Sequence, residues 1–192
     1  MKIVGVGCGE GMLTTEGETV LRKATCVYGS GRAVELVRAY IPAEANVVEI
    51  TDYKALRTLP DDAVVLSTGD PLMAGLGYLP GEIIPGISSM QAAFSRLHAP
   101  WTNVAVVNAH GKDHQDAVFR AVQDVSAGHS VFLIADPDFS VEELARSLPE
   151  YVPIAVCEDL GYPCERIAEG TAKHPPKVLS KLFCIVAGYN KQ

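Results

Sequence analysis

Short valine- and isoleucine-rich segments alternate with amphipathic helical segments through the first hundred residues, and this alternation constrains the fold more than any other feature. Capping residues predict where the helices begin: Thr15 and Glu18 form a capping box for the first, and Ser30 caps the second. A βαβα order of this kind favours a mainly parallel sheet. The apolar segments predict strands at residues 3–6, 26–28, 47–50, 63–66 and 82–84.

The second half of the chain has a different pattern, which begins after Pro100, where proline cannot continue the preceding helix. Asp113 and Ser140 precede helical patterns, the first over His114–Ser126. Because the last three strands are separated only by short turns, we expect them to pair antiparallel. The sequence therefore predicts an α/β protein of two domains, residues 1–100 with a mainly parallel sheet and residues 101–192 with a mixed sheet. The strands of the second domain are predicted at residues 104–107, 131–135, 154–157, 165–170 and 183–187.

Composition excludes several classes of function. The net charge of −7 argues against a general binder of nucleic acid or of membrane surfaces, which would carry a basic face. No apolar run approaches the roughly 20 residues of a membrane span, and the N-terminus lacks the apolar segment of a signal peptide. The five cysteines form no Cys-x-x-Cys pair, so we expect no zinc site. These features together predict a cytoplasmic protein.

Three loops at predicted strand ends carry small residues that would let a ligand approach the backbone. Residues 5–11 have the spacing Gly-x-Gly-x-Gly-x-Gly, which differs from the Gly-x-Gly-x-x-Gly of a dinucleotide site. Gly69-Asp70-Pro71 ends a buried strand abruptly, and Pro85-Gly86-Ile87-Ser88-Ser89 leads into a helix N-terminus. Since ligands of open α/β sheets bind outside the carboxyl ends of the strands, these loops are the candidate site.

A fourth loop carries two histidines. His110 and His114 lie four residues apart, which is a metal-ligand spacing when both stand on one helix. Gly111 and Asp113 instead predict a turn with Asp113 as the helix cap, so we expect no metal here. His110 remains a candidate for moving a proton, and Lys112 gains a role only if a substrate with several carboxylates lies nearby.

Taken in sequence order, these loops resemble the hallmarks of the tetrapyrrole methyltransferase family, which uses S-adenosylmethionine. Further segments resemble the subgroup that methylates C5 of precorrin-7, with or without cobalt, in cobalamin (vitamin B12) biosynthesis. Two features depart from the family: Cys8 stands where proline is common, and residues 75–82 form an unusually short segment. The subgroup resemblance lies in residues 29–32, 88–91, 110–112, 158–163, 165–167 and 169–171.

The resemblance implies a cofactor folded into a cleft between the two domains, a tetrapyrrole substrate and a homodimer. Because the chain ends at Gln192 without a second methyltransferase domain, it also implies a separate partner enzyme for C15 methylation and decarboxylation. His110 is the tentative catalytic residue. The implied substrate-binding residues are Gly7, Gly9, Arg32, Lys112 and Arg166. The implied cofactor-binding residues are Gly69, Asp70, Pro71, Ala74, Gly75, Ser88, Ser89, Ala135, Asp136 and Leu160.

Three alternative functions stay open at the level of sequence. Another enzyme of the same family, such as a diphthine synthase, would share the cofactor loops and differ near His110 and residues 158–163. A non-catalytic tetrapyrrole-binding protein would bind tetrapyrrole and transfer no methyl group. A nucleotide-binding oxidoreductase would bind a nicotinamide cofactor, for which the glycine spacing gives little support.

Overall fold

The computed structural model describes residues 1–111 and 113–191, which divide into two compact units, Met1–Ser89 and Met90–Gln192. The sequence predicts a division after residue 100 instead. Almost all of helix α3 (Ser89–Leu97) therefore lies in the second unit, whereas the prediction assigns it to the first. Pro100 marks where a helix must end, and the end of a helix need not be the boundary between two cores.

The first unit is built on a five-stranded sheet, and its strand pairs are all parallel, as the βαβα pattern predicts. The strand order is β3-β2-β4-β1-β5. Two helices, α1 (Thr15–Leu21) and α2 (Gly31–Val37), connect the first three strands, and 3₁₀ turns follow at Arg38–Tyr40 and Ala55–Thr58. The strands are β1 (Lys2–Gly5), β2 (Cys26–Gly29), β3 (Asn46–Glu49), β4 (Val64–Ser67) and β5 (Glu82–Ile84).

Apolar clusters cover both faces of this sheet. Val4 and Leu66 belong to one cluster, whereas Ile3 and Val65, their neighbours in sequence, belong to the other. Successive side chains of a strand point to opposite faces, so strands buried on both sides become continuously apolar. Each fully buried side chain of this kind contributes about 1.5–3 kcal/mol, which anchors the strands and the loops that follow them.

Helix caps in the first unit confirm one prediction and correct another. Ser30 caps α2, and its side chain accepts a hydrogen bond from the Ala33 N–H. The cap of α1 is Thr14, whose Oγ1 accepts from the Gly17 N–H at 3.1 Å, and not Thr15. Thr14 has the extended backbone that a cap requires, while Thr15 is already the first residue of the helix.

The second unit contains α3, α4 (His114–Ser126), α5 (Val141–Arg146) and a mixed five-stranded sheet of order β6-β7-β10-β8-β9. Strands β6 and β7 are parallel, and the remaining pairs are antiparallel, which confirms the predicted pairing of the last three strands. Asp113 and Ser140 cap α4 and α5 as predicted. The strands are β6 (Val104–Asn108), β7 (Ser130–Ile134), β8 (Pro153–Glu158), β9 (Arg166–Thr171) and β10 (Phe183–Ala187).

The core of the second unit lies between α4, α5 and one face of the mixed sheet. Ala117 and Ala121 of α4 pack with Leu133 of β7, Leu144 of α5 and Ile185 of β10, and all five are buried. Small residues on α4 allow the helix to lie close to the sheet. Within the described residues, 1–111 and 113–191, no helix combines the length and the apolar character that crossing a membrane would need.

Candidate ligand site at the strand ends

Three loops meet at the carboxyl ends of three neighbouring strands in the first unit. They follow β4, β1 and β5, which lie side by side in the sheet. Gly7 and Gly69 exchange two backbone hydrogen bonds, from Gly69 N to Gly7 O at 2.8 Å and from Gly7 N to Gly69 O at 3.3 Å. The Cys8 N–H donates to Ile87 O at 3.0 Å, which joins the first loop to the third. Proline, the residue that the sequence resemblance leads us to expect at position 8, could not donate this bond.

Glycine is required at this junction because three backbones approach closely. A Cβ added at Gly5 would lie 2.5 Å from Gly86 N and 2.7 Å from Gly69 O, and one added at Gly86 would collide with Gly69 O. Gly69 is different, because its φ is +70° and, apart from its chain neighbours, an added Cβ would meet only Ser88 Cα among the described residues, 3.7 Å away. Gly69 is buried, but little of the described chain packs on its Cβ side, so a ligand that reaches this loop could lie directly against the backbone.

Asp70 ties two of these loops together with its carboxylate. Its Oδ1 accepts hydrogen bonds from the backbone N–H groups of Leu72 at 2.9 Å and Met73 at 3.4 Å, which forms the turn after β4. Its Oδ2 accepts from Gly86 N at 3.2 Å, in the loop after β5. Asp70 thus determines the shape of the Gly-Asp-Pro loop and its distance from the third loop.

Arg32 brings a cation to the same edge of the sheet. It lies in α2, which follows β2, and β2 is the neighbour of β4. Its Nη2 donates to Thr68 Oγ1 at 3.2 Å, one residue before Gly69. Arg32 is exposed, so its other N–H groups can contact a carboxylate in solution. The structure therefore places one residue predicted for the substrate beside a loop predicted for the cofactor.

The other predicted residues of the first unit lie around this junction, and they differ from one another in solvent exposure. Pro71 is buried, while Ala74 and Gly75 are exposed in the segment that follows it. Gly9 is buried in the first loop. Ser88 is buried, and Ser89, the first residue of α3, is half-buried. The short segment before β5 contains turns and no helix.

In the second unit, the predicted residues gather at the carboxyl ends of the parallel strands β6 and β7. Ala135 and Asp136 follow β7, and His110 lies exposed in the turn after β6. Oδ2 of Asp136 accepts from Gly111 N at 3.0 Å and contacts Nε2 of His114 at 3.1 Å. Its Oδ1 accepts from Asp138 N at 3.1 Å. The Asp136 carboxylate is therefore already occupied by three partners from its own unit.

These contacts also govern the ionisation of Asp136. Burial by itself raises the pKa of the carboxyl, because the charged form loses hydration. The hydrogen bonds from Gly111, His114 and Asp138 together outweigh burial, and the pKa lies below its ordinary value. Asp136 is thus an ionised acceptor at neutral pH.

The remaining two predicted residues lie around β8 and β9. Leu160 is buried in the turn after β8. Arg166 donates through Nη1 to Glu158, whose side chain is only 1% exposed, and to Lys177 O at 3.1 Å. Burial by itself raises the pKa of Glu158. Hydrogen bonds from Leu179 N, Arg166 and Ser180 N outweigh burial, so the pKa lies below its ordinary value and the group stays ionised. Part of the Arg166 guanidinium is thus engaged in an ion pair with a buried carboxylate.

Among residues 1–111 and 113–191, no group of three or more His, Cys, Asp or Glu side chains is arranged to hold a metal ion. Lys112, predicted to bind substrate, lies outside the described residues.

Sequence reasoning missed the partners of two carboxylates of this unit, Asp136 and Glu158. The pairing of His114 with Asp136 joins residues 22 positions apart, and nothing in their local pattern indicates it. The sequence indicates the Glu158 pairing only weakly: Glu158 ends the apolar run of β8, where a buried acid needs a partner.

Comparison with known proteins establishes the family. The family model of the tetrapyrrole (corrin/porphyrin) methylases matches residues 2–176, which is most of the chain. The protein therefore belongs to the tetrapyrrole methylases, a family of enzymes, and its parallel and mixed sheets are the α/β fold of that family.

Two curated relatives carry more specific names. A precorrin-6Y C(5,15)-methyltransferase [decarboxylating] of Mycobacterium tuberculosis is 28% identical over 97% of this chain and 51% of its own length. A probable cobalt-precorrin-7 C(5)-methyltransferase of Methanocaldococcus jannaschii is 32% identical over 58% of this chain and 60% of its own length. The chain thus spans about half the length of the Mycobacterium protein.

Solved structures of the family share the fold over nearly the whole chain. A precorrin-6Y methylase from Archaeoglobus fulgidus is 27% identical, has a TM-score of 0.76, and is matched over 99% of this chain and 98% of its own. A uroporphyrin-III C-methyltransferase from Thermus thermophilus, solved with S-adenosylhomocysteine, is 20% identical with a TM-score of 0.74, over 96% and 95% of the two chains. At that identity, the second comparison supports the fold alone.

Proposed function

We propose that this protein transfers a methyl group from S-adenosylmethionine to C5 of precorrin-7 or its cobalt form, in cobalamin biosynthesis. Family membership supports the class of reaction, and the names of the two curated relatives support the corrin substrate and the C5 position. The observation that carries the proposal is the glycine junction of β4, β1 and β5, where little of the described chain packs on the Cβ side of the buried Gly69. Its motifs are those that the sequence shares with the family.

The bound S-adenosylmethionine would supply a sulfonium methyl, which is already activated for displacement. The new C–methyl bond forms as the S–methyl bond breaks, and the sulfur keeps the electron pair. The chain then has to align the ring carbon with the methyl group and exclude water, and alignment can lower the barrier by about 7–11 kcal/mol. His110, exposed on its turn, is the proposed acceptor for a proton that the ring releases.

The cofactor contacts are proposed to involve mainly backbone. Gly69, Pro71, Ala74 and Gly75 offer little side-chain bulk, and Asp70 holds the loop in shape. Ser88, Ser89, Ala135, Asp136 and Leu160 complete the proposed set. The chemistry asks for no nucleophilic side chain, so a site lined by glycine and small residues suits it.

The substrate contacts are proposed to depend on cations, because a corrin precursor carries several carboxylates and this chain has a net charge of −7. Arg32 has the geometry for this role, since guanidinium groups bind carboxylates through two parallel N–H donors. Gly7 and Gly9 would form the surface beneath the ring, with Lys112 and Arg166 as further cations. A homodimer and a separate enzyme for C15 methylation and decarboxylation belong to the same proposal.

Two experiments test this function. Calorimetry with S-adenosylhomocysteine measures the cofactor site without the substrate. Incubation with the tetrapyrrole precursor and S-adenosylmethionine bearing a ¹³C-labelled methyl, followed by NMR, locates the new methyl group. One label at C5 supports the proposal. Label at C15, release of carbon dioxide without a partner enzyme, or no transfer by protein that binds the cofactor would overturn it.

A further inference from the structure

The turn that carries His110 is held at two points by side-chain oxygens. At its start, Oδ1 of Asn108 accepts from His110 N at 3.0 Å. At its end, Oδ2 of Asp136 accepts from Gly111 N at 3.0 Å. Asn108 is the last residue of β6, so it is part of the sheet, whereas Asp136 reaches across from the end of the neighbouring strand β7. The position of an exposed catalytic candidate therefore depends on a residue from another strand.

Asp136 is itself fixed in place by two further contacts. His114, the first residue of α4, meets Oδ2 through Nε2 at 3.1 Å, and Asp138 N donates to Oδ1 at 3.1 Å. The His114 ring packs edge-on against Phe139, with centroids 5.3 Å apart and an interplanar angle of 66°. The carboxylate is 16% exposed, so water competes little for these bonds. Because the Asp136 carboxylate is held in this way, its hydrogen bond from Gly111 N fixes the position of the turn.

We propose that Asp136 is a positioning residue, which with His114 holds the His110 turn in place for methyl transfer. Asp136 is also a predicted cofactor-binding residue. In this proposal its carboxylate holds the turn, and any contact with the cofactor is made by its backbone. The kinetic part of the proposal rests on the proposed function. The structural part, which concerns the turn alone, does not.

NMR tests the structural part without turnover. In wild-type protein, we expect the neutral His114 ring to carry its proton on Nε2, because the carboxylate accepts there. In Asp136→Ala, the Gly111 amide should exchange with solvent faster by about tenfold or more, and the His110 ring signals should shift. Asp138→Ala is the matched control, because it removes a carboxylate two residues away and keeps the amide that donates to Asp136.

A second variant keeps the test decisive if Asp136→Ala does not fold. Asp136→Asn has one acceptor oxygen where the native residue uses two, so the Gly111 or the Asp138 amide must lose its partner. A faster-exchanging Gly111 amide, together with shifted His110 ring signals, supports the proposal. Gly111, His110 and His114 signals that match wild type in the Asp136 variants would overturn it.

Kinetics then separate positioning from general destabilisation. We expect Asp136→Ala to lower kcat about 10- to 100-fold while the Kd for S-adenosylhomocysteine stays within about twofold of wild type. In a His110→Ala background, the same substitution should change kcat by less than about twofold, because residues that act through one another are not additive. Full additivity would overturn the link to His110. If wild type itself transfers no methyl group, the proposed function fails and the NMR result still decides the structural part.

Discussion

Replacing Gly69 with alanine separates the cofactor site from the stability of the fold. The backbone at Gly69 has φ +70°, and an added Cβ would meet only Ser88 Cα at 3.7 Å among the described residues. The new methyl group therefore fits the protein itself and projects to the side of Gly69 where we propose that the cofactor lies. It should disturb the ligand more than the fold.

The cost to stability follows from the backbone conformation. A side chain in the left-handed region costs about 1–2 kcal/mol, which for a chain of this size lowers Tm by about 2–8 °C. Gly128→Ala is a matched control, because Gly128 has φ +87° and, its chain neighbours aside, no heavy atom of residues 1–111 and 113–191 lies within 4 Å of an added Cβ. It lies in the turn between α4 and β7, outside the glycine junction. Both variants should lose similar stability.

Calorimetry with S-adenosylhomocysteine distinguishes the two variants. We expect Gly69→Ala to weaken binding by about tenfold or more, equivalent to about 1.4 kcal/mol, and Gly128→Ala to stay within about twofold of wild type. Thermal unfolding of both proteins checks that the strain is comparable. If the two variants unfold alike and also bind alike, the cofactor does not lie against Gly69 and the placement is refuted.

Three further substitutions test other contacts of the chain. Asp70→Ala removes the acceptor for Gly86 N. It should lower the free energy of unfolding, measured in urea, by about 1–3 kcal/mol and weaken the binding of S-adenosylhomocysteine. Wild-type values for both quantities would contradict the link between the two loops. Arg32→Ala should raise the KM for the tetrapyrrole about tenfold and leave cofactor affinity unchanged, whereas equal loss of both would argue against a substrate role. The pKa of Glu158 lies below its ordinary 4.5, so its ionised form stabilises the fold above that pH, and this stability is lost as the pH falls through the lowered value. Tm should therefore fall more steeply between pH 6 and about 3 in wild type than in Glu158→Gln, because Arg166 in that variant lacks its carboxylate partner at every pH. Parallel Tm curves for the two proteins would count against the ion pair.

Local signals predicted several elements as the structure has them. The prediction for α4 matches its bounds, His114–Ser126, because the Asp113 cap and the apolar spacing that follows indicate one helix. Strands Glu82–Ile84 and Phe183–Ala187 also match, since each is a short apolar run between turn residues. Such signals involve residues close in sequence, so the chain alone reveals them.

Other features depend on conformation that the residue types do not reveal. Thr14 and Thr15 have equal capping chemistry, and only the extended backbone of Thr14 makes it the cap. Similarly, Arg166 has the residue type of a carboxylate binder, but the structure shows that it also pairs with a buried acid. A side chain's surroundings are set by folding, so its type alone does not reveal whether it is already engaged.

The sequence by itself determined the α/β class, the alternation of strands and helices, and the small-residue loops at strand ends, because these follow from periodicity, caps and glycine chemistry. It did not determine that β4, β1 and β5 lie side by side, or that Gly5, Gly69 and Gly86 approach closely. Strand order is decided by which apolar faces bury each other across long stretches of chain. Only the tertiary structure, therefore, brings loops from distant parts of the sequence into one junction.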